Sequence, residues 1–307
     1  VANQFLTPQL IAQQALATLY ESLVMVPLVY TDISSEFTAQ KPGNTIMVRK
    51  PAVFQAQNFV QGSGIQLQSA NEGNIPVTLN QVADVSFSVT SQELTLSIVN
   101  FDEQLLTPAC MALAEKIDRD ILSLRSQITQ TVGVQGGNNV ANWNAPEVLI
   151  DAARVLDVAK VPVDGRAVVT GPYTKANWLN SQLLKFVMNS GNTDALRKAS
   201  IGQNLFGFDA YQTQNVKAPT SAPATGSGLP TTEAGVAFHQ SAFCFASAPL
   251  ELAPGSFASV QSYSGLSVRV AYQYDILQKQ TIVSLDTLYG VQVLDPNRAC
   301  LVQGALA

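Results

Sequence analysis

Apolar positions fall at helical spacing first in residues 7–24, where Leu10, Ile11, Ala15, Leu16, Leu19 and Leu23 follow Thr7-Pro8, an N-cap and first-turn pair. The spacing predicts an amphipathic helix whose stripe fits packing on its own domain or on a neighbouring subunit. From Asn44 to Phe54 the period shortens to two, with Ile46 and Val48 on one side of a pleat and Met47 and Arg49 on the other. A second strand-like run covers Ile75–Thr90, with Val85, Phe87 and Val89 alternating with Ser86, Ser88 and Thr90. The Gln-, Asn-, Ser- and Gly-rich stretch 55–74 between them is far longer than a hairpin loop of about five residues. Together these segments predict an extended two-stranded arm.

The strongest helical pattern begins near Asn100, with Glu103 in capping-box spacing, and carries Leu105, Ala109, Leu113, Ile117, Ile121, Leu124 and Ile128 on one face. Pro108 requires a kink, or a restart with Thr107 as cap. The opposite face holds Glu115, Lys116, Arg119 and Asp120. Beyond a Gly/Asn-rich loop at 133–142, a helix over Pro146–Val158, a strand over Ala167–Thr170 and a helix over Tyr173–Met188 outline a compact lobe. Residues 217–235, rich in Pro, Thr, Ser, Ala and Gly, read as a surface linker. Strand-like runs follow at Val236–Ala248, Ser267–Gln273 and Thr281–Leu294. The long helix needs a sheet or a second helix on its stripe, which favours a mixed α+β chain.

Composition sharpens this picture. Charged residues are 13% of the 307, against roughly 25% in an average soluble domain, while apolar residues reach 47%. No apolar run of about 18 residues supplies a membrane span. The remaining way to hide so much apolar surface is another protein chain, so the composition points to an oligomer. A net charge of −5 argues against a protein that grips nucleic acid by counterion release. Cys110, Cys244 and Cys300 are scattered and odd in number, as expected of reduced thiols in a cytosolic product, and no Lys or Arg precedes Lys41 to form the positive region of a secretory signal.

Catalytic chemistry has little to stand on. His239 is the single histidine and sits in an alternating apolar run, where a structural role outweighs that of a base. No cysteine pair has metal-ligand spacing, and Gly62-Ser63-Gly64 lacks the third glycine of a dinucleotide loop, so no metal and no cofactor are expected. Asp118 with Asp120, and Asp151 with Asp157, read as exposed charged faces of helices. Neither basic pair, Arg49-Lys50 or Arg197-Lys198, is interleaved with stacking aromatics. An enzyme is not expected.

The order of elements is itself distinctive: N-terminal helix, extended arm, long helix, compact lobe, returning strands. With the segments SLVMVPLVYTDISSEF (22–37), GNTIMVRKPAVF (43–54), DVSFSVTSQELTLSIVNFDEQLLTPACMALAEKIDRDIL (84–122), AFHQSAFCFASAPLE (237–251) and SLDTLYGVQVLDPNRACLV (284–302), the chain resembles the coat proteins of short-tailed, lambda-like phages, which have the Hong Kong 97-type capsid fold. The resemblance implies an α+β subunit with an N-terminal arm (1–44), an extended E-loop (45–90), a peripheral domain with a spine helix (91–145), an axial domain containing the 217–235 linker (146–266), and strands returning to both domains (267–307). It implies a major capsid protein that assembles with itself in pentamers and hexamers into an icosahedral virion shell enclosing double-stranded DNA. Scaffolding, portal and decoration proteins are the implied partners, and the bacterial cytoplasm the place of assembly. An encapsulin-like nanocompartment shell is the alternative, and a β-rich ligand-binding protein or enzyme a more distant one. On the arm, Phe54, Phe59 and Ile65 are candidate intersubunit anchors and Arg49 and Lys50 candidate charge contacts; local hairpin packing explains the same residues equally well.

Overall fold

The structure is a computed structural model that describes residues 8–34, 43–50, 73–96, 101–134, 140–185, 204–216, 233–252 and 256–304, with single positions between 54 and 69. Helix α1 (Pro8–Ser22) buries Ala12, Ala15, Leu16 and Leu19, and Leu23 just beyond it. These positions form one stripe at i, i+3, i+4 and i+7, which leaves Leu10 on the far side and 51% exposed. The stripe faces its own subunit: α1 packs on the long helix and on two strands of the larger sheet.

The chain of strands begins with β1 (Thr45–Lys50) and β2 (Gly73–Thr78), paired antiparallel from Thr45 opposite Thr78 to Lys50 opposite Gly73. Strand β3 (Gln81–Thr90) follows after two residues but leaves the arm. It pairs along its whole length with a strand of the body, so the expected single run from Ile75 to Thr90 is two strands in different sheets, and the paired part of the arm stops at Thr78 rather than at residue 90.

A short helix, α2 (Ser91–Leu96), leads towards the long helix. The chain is helical at Phe101, passes through a π-helical turn at Asp102–Leu106, and continues as α3 (Thr107–Ser123). The wide turn lies where Pro108, which lacks an N–H and crowds the carbonyl four residues back, would have broken an α-helical ladder. Asn100, expected as the start, lies outside the described residues. Ala109, Cys110, Leu113, Ala114, Ile117, Ile121 and Leu122 form the buried face of α3.

Strand β4 (Thr131–Val132), helix α4 (Val148–Val158) and strand β5 (Arg166–Thr170) open the second lobe. The helix expected over Tyr173–Met188 is instead α5 (Pro172–Leu179) and α6 (Gln182–Lys185), interrupted at Asn180-Ser181, with Phe186–Met188 outside the described residues. After β6 (Asp209–Gln212) come β7 (Gly235–His239) and β8 (Phe243–Ala248). The sequence pattern joins these two as one strand; a 3-10 turn at Gln240–Ala242 separates them, with His239 Nδ1 accepting from Ser241 N at 3.2 Å. Strands β9 (Ala258–Tyr263), β10 (Leu266–Asp275), β11 (Gln280–Val293) and β12 (Ala299–Val302) complete the chain.

Two five-stranded sheets result. One runs β3-β11-β10-β9 with β8 also on β11, all antiparallel; the other runs β4-β12-β7-β5-β6 with mixed directions. The first lays Val268, Val270, Val283, Leu285 and Tyr289 against α1 and α3 in the main core. In the second, β5, β7 and β12 are buried on both faces, which is why they read as unbroken apolar runs. Val236, Phe238 and Leu301 enter the main core, while Ala237, Cys300 and Val168 face a second core with Val148, Leu149, Leu156 and Trp178.

Candidate interaction surface

The pleat splits the arm into two faces with different partners. Ile46, Val48 and Val77 turn inward and pack with Leu79 on Ile33, Cys244, Ala246, Leu288 and Leu294, a third apolar cluster on the outer side of the larger sheet. The crossing is close: a Cβ on Gly290 of β11 would lie 2.1 Å from the carbonyl oxygen of Thr78. A glycine inside a strand often marks such an approach of another backbone, a signal present in the sequence and not used there. Lys50, on the inward face, reaches Asp295 of its own chain at 3.4 Å, and Arg298 lies 3.5 Å from the same carboxylate oxygen. The outward face leaves Met47 58% exposed, with Arg49 exposed beside it.

Of the five candidate contact residues, then, Arg49 is exposed and Lys50 lies at an ion pair within the subunit. Phe54 is 61% exposed beyond β1, and Leu67, not singled out from the sequence, is 95% exposed. Phe59 and Ile65 lie outside the described residues. The base of the arm is fixed to the body while its outer face and the Phe54 side chain have no apolar cover among the described residues.

Two carboxylates expected on exposed helix faces, Asp118 and Asp151, are buried instead. Asp118 is 1% exposed and accepts from Val24 N at 3.1 Å and Met25 N at 3.0 Å, tying the chain after α1 to the middle of α3. Burial pushes its pKa up to about 6 against the pull of these two hydrogen bonds. Asp151 is also 1% exposed and accepts from Val140 N at 2.5 Å. Asp157 is exposed and pairs with the buried Arg166 at 2.7 Å, as the sequence reading had placed it on the surface. Glu233, within the stretch read as a surface linker, is 4% exposed and accepts from Tyr173 N, Thr174 N and the Thr174 hydroxyl, each at 3.0 Å, closing the N-terminus of α5. The sequence signals none of these: the partners of Asp118 and Glu233 lie 59 to 94 positions away, and those of Asp151 are backbone N–H groups that any residue but proline carries.

Little of this arrangement suits catalysis. His239 is held by Ser241, and burial lowers its pKa, with Arg298 and Arg166 adding to the shift. All three cysteines are buried and free, with burial pushing each thiol up to about 12, far from the thiolate a nucleophile needs. An open cleft of about 570 Å³ beside α4 carries Gln130, Thr131, Arg154 and Arg298. Among the described residues no three His, Cys, Asp or Glu side chains come together as a metal site, and no helix is long and apolar enough to cross a membrane.

No protein-family model and no curated protein matches the chain. Solved structures do. A chain from Mycobacterium phage Che8 has a TM-score of 0.67 at 19% identity, over 91% of this chain and 90% of its own. A chain in the capsid structure of cyanophage P-SCSP1u has a TM-score of 0.59 at 12% identity, over 86% and 84%. One in the asymmetric unit of the bacteriophage PhiM1 mature capsid has a TM-score of 0.55 at 14% identity, over 86% and 83%. With this likeness the chain has the mixed helix-and-sheet fold of phage capsid subunits.

Proposed function

We propose that this chain is the major capsid protein of a tailed phage, assembling with itself into the icosahedral shell that encloses a double-stranded DNA genome. The observation that carries the reading is the fold match across 91% of the chain to a phage protein and across 86% to subunits of two phage capsids. Composition supports it, since 47% apolar and 13% charged residues suit a subunit that hides surface against copies of itself. In the Hong Kong 97-type scheme the β1–β2 pair with the residues between them corresponds to the E-loop and α3 to the spine helix. The β3-β11-β10-β9 sheet with α3 then corresponds to the peripheral domain, and the β4-β12-β7-β5-β6 sheet with α4–α6 to the axial domain at capsomer centres.

In this reading the chain is a structural protein rather than an enzyme, and Arg49, Phe54, Phe59 and Ile65 belong to contacts between subunits in pentamers and hexamers. Lys50 contributes by holding the base of the arm. Scaffolding and portal proteins, and a decoration protein where one exists, are its partners in the host cytoplasm. With a net charge of −5 the shell contains DNA rather than gripping it.

The test is negative-stain electron microscopy of the purified chain, with sedimentation to measure the assembled fraction. Uniform closed shells are the expected result. A monomer that forms no particles, even when crowded or supplied with a scaffold, would overturn the reading.

A further inference from the structure

Strand β3 is an edge: among the described residues its only strand partner is β11. Which of its backbone groups face outward follows from the ladder. Ser91 N donates to Lys279 O at 3.1 Å one step beyond the Thr90–Gln280 pair, so odd-numbered residues bond to β11 and even-numbered ones turn their N–H and C=O to the open side. Thr90 agrees, its N–H being taken by the Glu93 carboxylate at 2.9 Å, which seals that end of the edge. Val82, Asp84, Ser86 and Ser88 remain, all with exposed side chains. The strand QVADVSFSVT has no Lys or Pro to blunt such an edge, and Asp84 is its one charged residue. Its inner-face residues Val85 and Phe87 are only half-buried, so the apolar layer beneath the edge is incompletely covered.

The arm offers a matching edge. Leu79 N donates to Asn44 O at 2.8 Å, so even-numbered residues of β1 bond to β2, and Thr45, Met47 and Arg49 face outward on β1. On β2 the outward set is Asn74, Pro76 and Thr78, and Pro76 removes a donor from the middle of it. The β1 edge is the intact one.

We propose that subunits join by strand addition, the outer edge of β1 pairing antiparallel with the β3 edge of a second copy. Arg49 opposite Asp84 sets Met47 against Ser86 and Thr45 against Ser88, a run that brings opposite charges together and hydroxyl beside hydroxyl. Of these six residues all but the half-buried Thr45 are exposed. The same register puts Ile46 and Val48 beside the half-buried Val85 and Phe87. The contact is head-to-tail, using different surfaces on the two copies, the kind that forms a ring when the rotation between neighbours closes.

The inference rests on the shell reading for its partner, and the experiment separates the two. Wild type, Ser86→Ala, Ser86→Pro, Asp84→Lys, Arg49→Asp and the Asp84→Lys/Arg49→Asp double variant are compared by assembled fraction in sedimentation and by circular dichroism. Ser86→Pro removes an outward N–H and spares the β11 ladder. The expected result is shells from wild type and Ser86→Ala, a fall to a tenth or less of the assembled fraction for Ser86→Pro and for each charge variant alone, and recovery in the double variant. Shells from wild type together with normal assembly of a folded Ser86→Pro, or a double variant no better than its singles, overturn strand addition; if Ser86→Pro does not fold, the charge exchange decides. Absence of shells from wild type overturns the shell reading itself.

Discussion

Asp118 is a carboxylate placed where its charge is disfavoured and its hydrogen bonds are needed. Its folded pKa of about 6 lies above the unfolded value of roughly 3.9, so between these values the folded state holds more proton and stability falls as pH rises. The contribution is fully present below about pH 4 and lost as pH passes about 6, on the order of 2 kcal/mol. Urea unfolding at pH 4.5 and pH 7 measures it: Asp118→Asn is expected to lack this component of the pH dependence and to lose about 1–3 kcal/mol at pH 7, since its amide turns a donor toward the N–H of Val24 or Met25. Equal pH dependence in both proteins would show that Asp118 titrates normally. Glu233 has a comparable task at α5. Glu233→Ala, which strands Tyr173 N and Thr174 N, is expected to cost about 1–2 kcal/mol and to unfold that lobe first, read by amide hydrogen exchange.

Elements meet in ways that single glycines decide. Gly290→Ala places a methyl group 2.1 Å from Thr78 O, with backbone on both sides, so the arm or β11 must shift. The expected effect is a loss of about 2 kcal/mol or more in urea unfolding and faster proteolytic cleavage at 45–78 as Ile46, Val48 and Val77 leave their cluster. A cleavage rate like that of wild type would mean the arm is held without this contact. Deleting residues 55–72, on the other hand, leaves β1, β2 and their docking in place. That subunit is expected to fold with unchanged circular dichroism and fail to form normal shells, by electron microscopy. The periodicity of α1 and α3 made both helices legible in the sequence, and the arm strands too, because one face of each is buried and one is not. The join between β7 and β8 was missed. Gly235–His239 and Phe243–Ala248 are buried on both faces and read as one apolar run, although the polar His239-Gln240-Ser241 at their junction marks the turn that sends them to different sheets.

On the scale of the whole molecule, the low charge content and the exposed arm lead to one expectation about DNA. The purified subunit carries −5 and disperses its basic residues, so it is expected not to retard double-stranded DNA in gel shifts at about 0.15 M salt. Retardation that weakens steeply with salt would show a basic surface assembled from residues far apart in sequence.

The sequence by itself determined what depends on neighbours along the chain: the helical stripes, the alternation of the arm, a mixed α+β architecture, and a composition suited to burial against other chains. From the residues alone it also set aside paired histidines, metal-ligand spacing and phosphate loops. Only the tertiary structure decided which strands pair, and so that β3 belongs to the body sheet and is its edge among the described residues. It alone turned Asp118, Asp151 and Glu233 from surface charges into buried acceptors. The reason is physical. Periodicity records whether a position faces apolar or polar surroundings, whereas a buried carboxylate is held by backbone N–H groups that every residue but proline carries, 94 positions away for Asp118 and Val24. Such partners leave no mark in the pattern of side chains, and appear once the chain has brought them together.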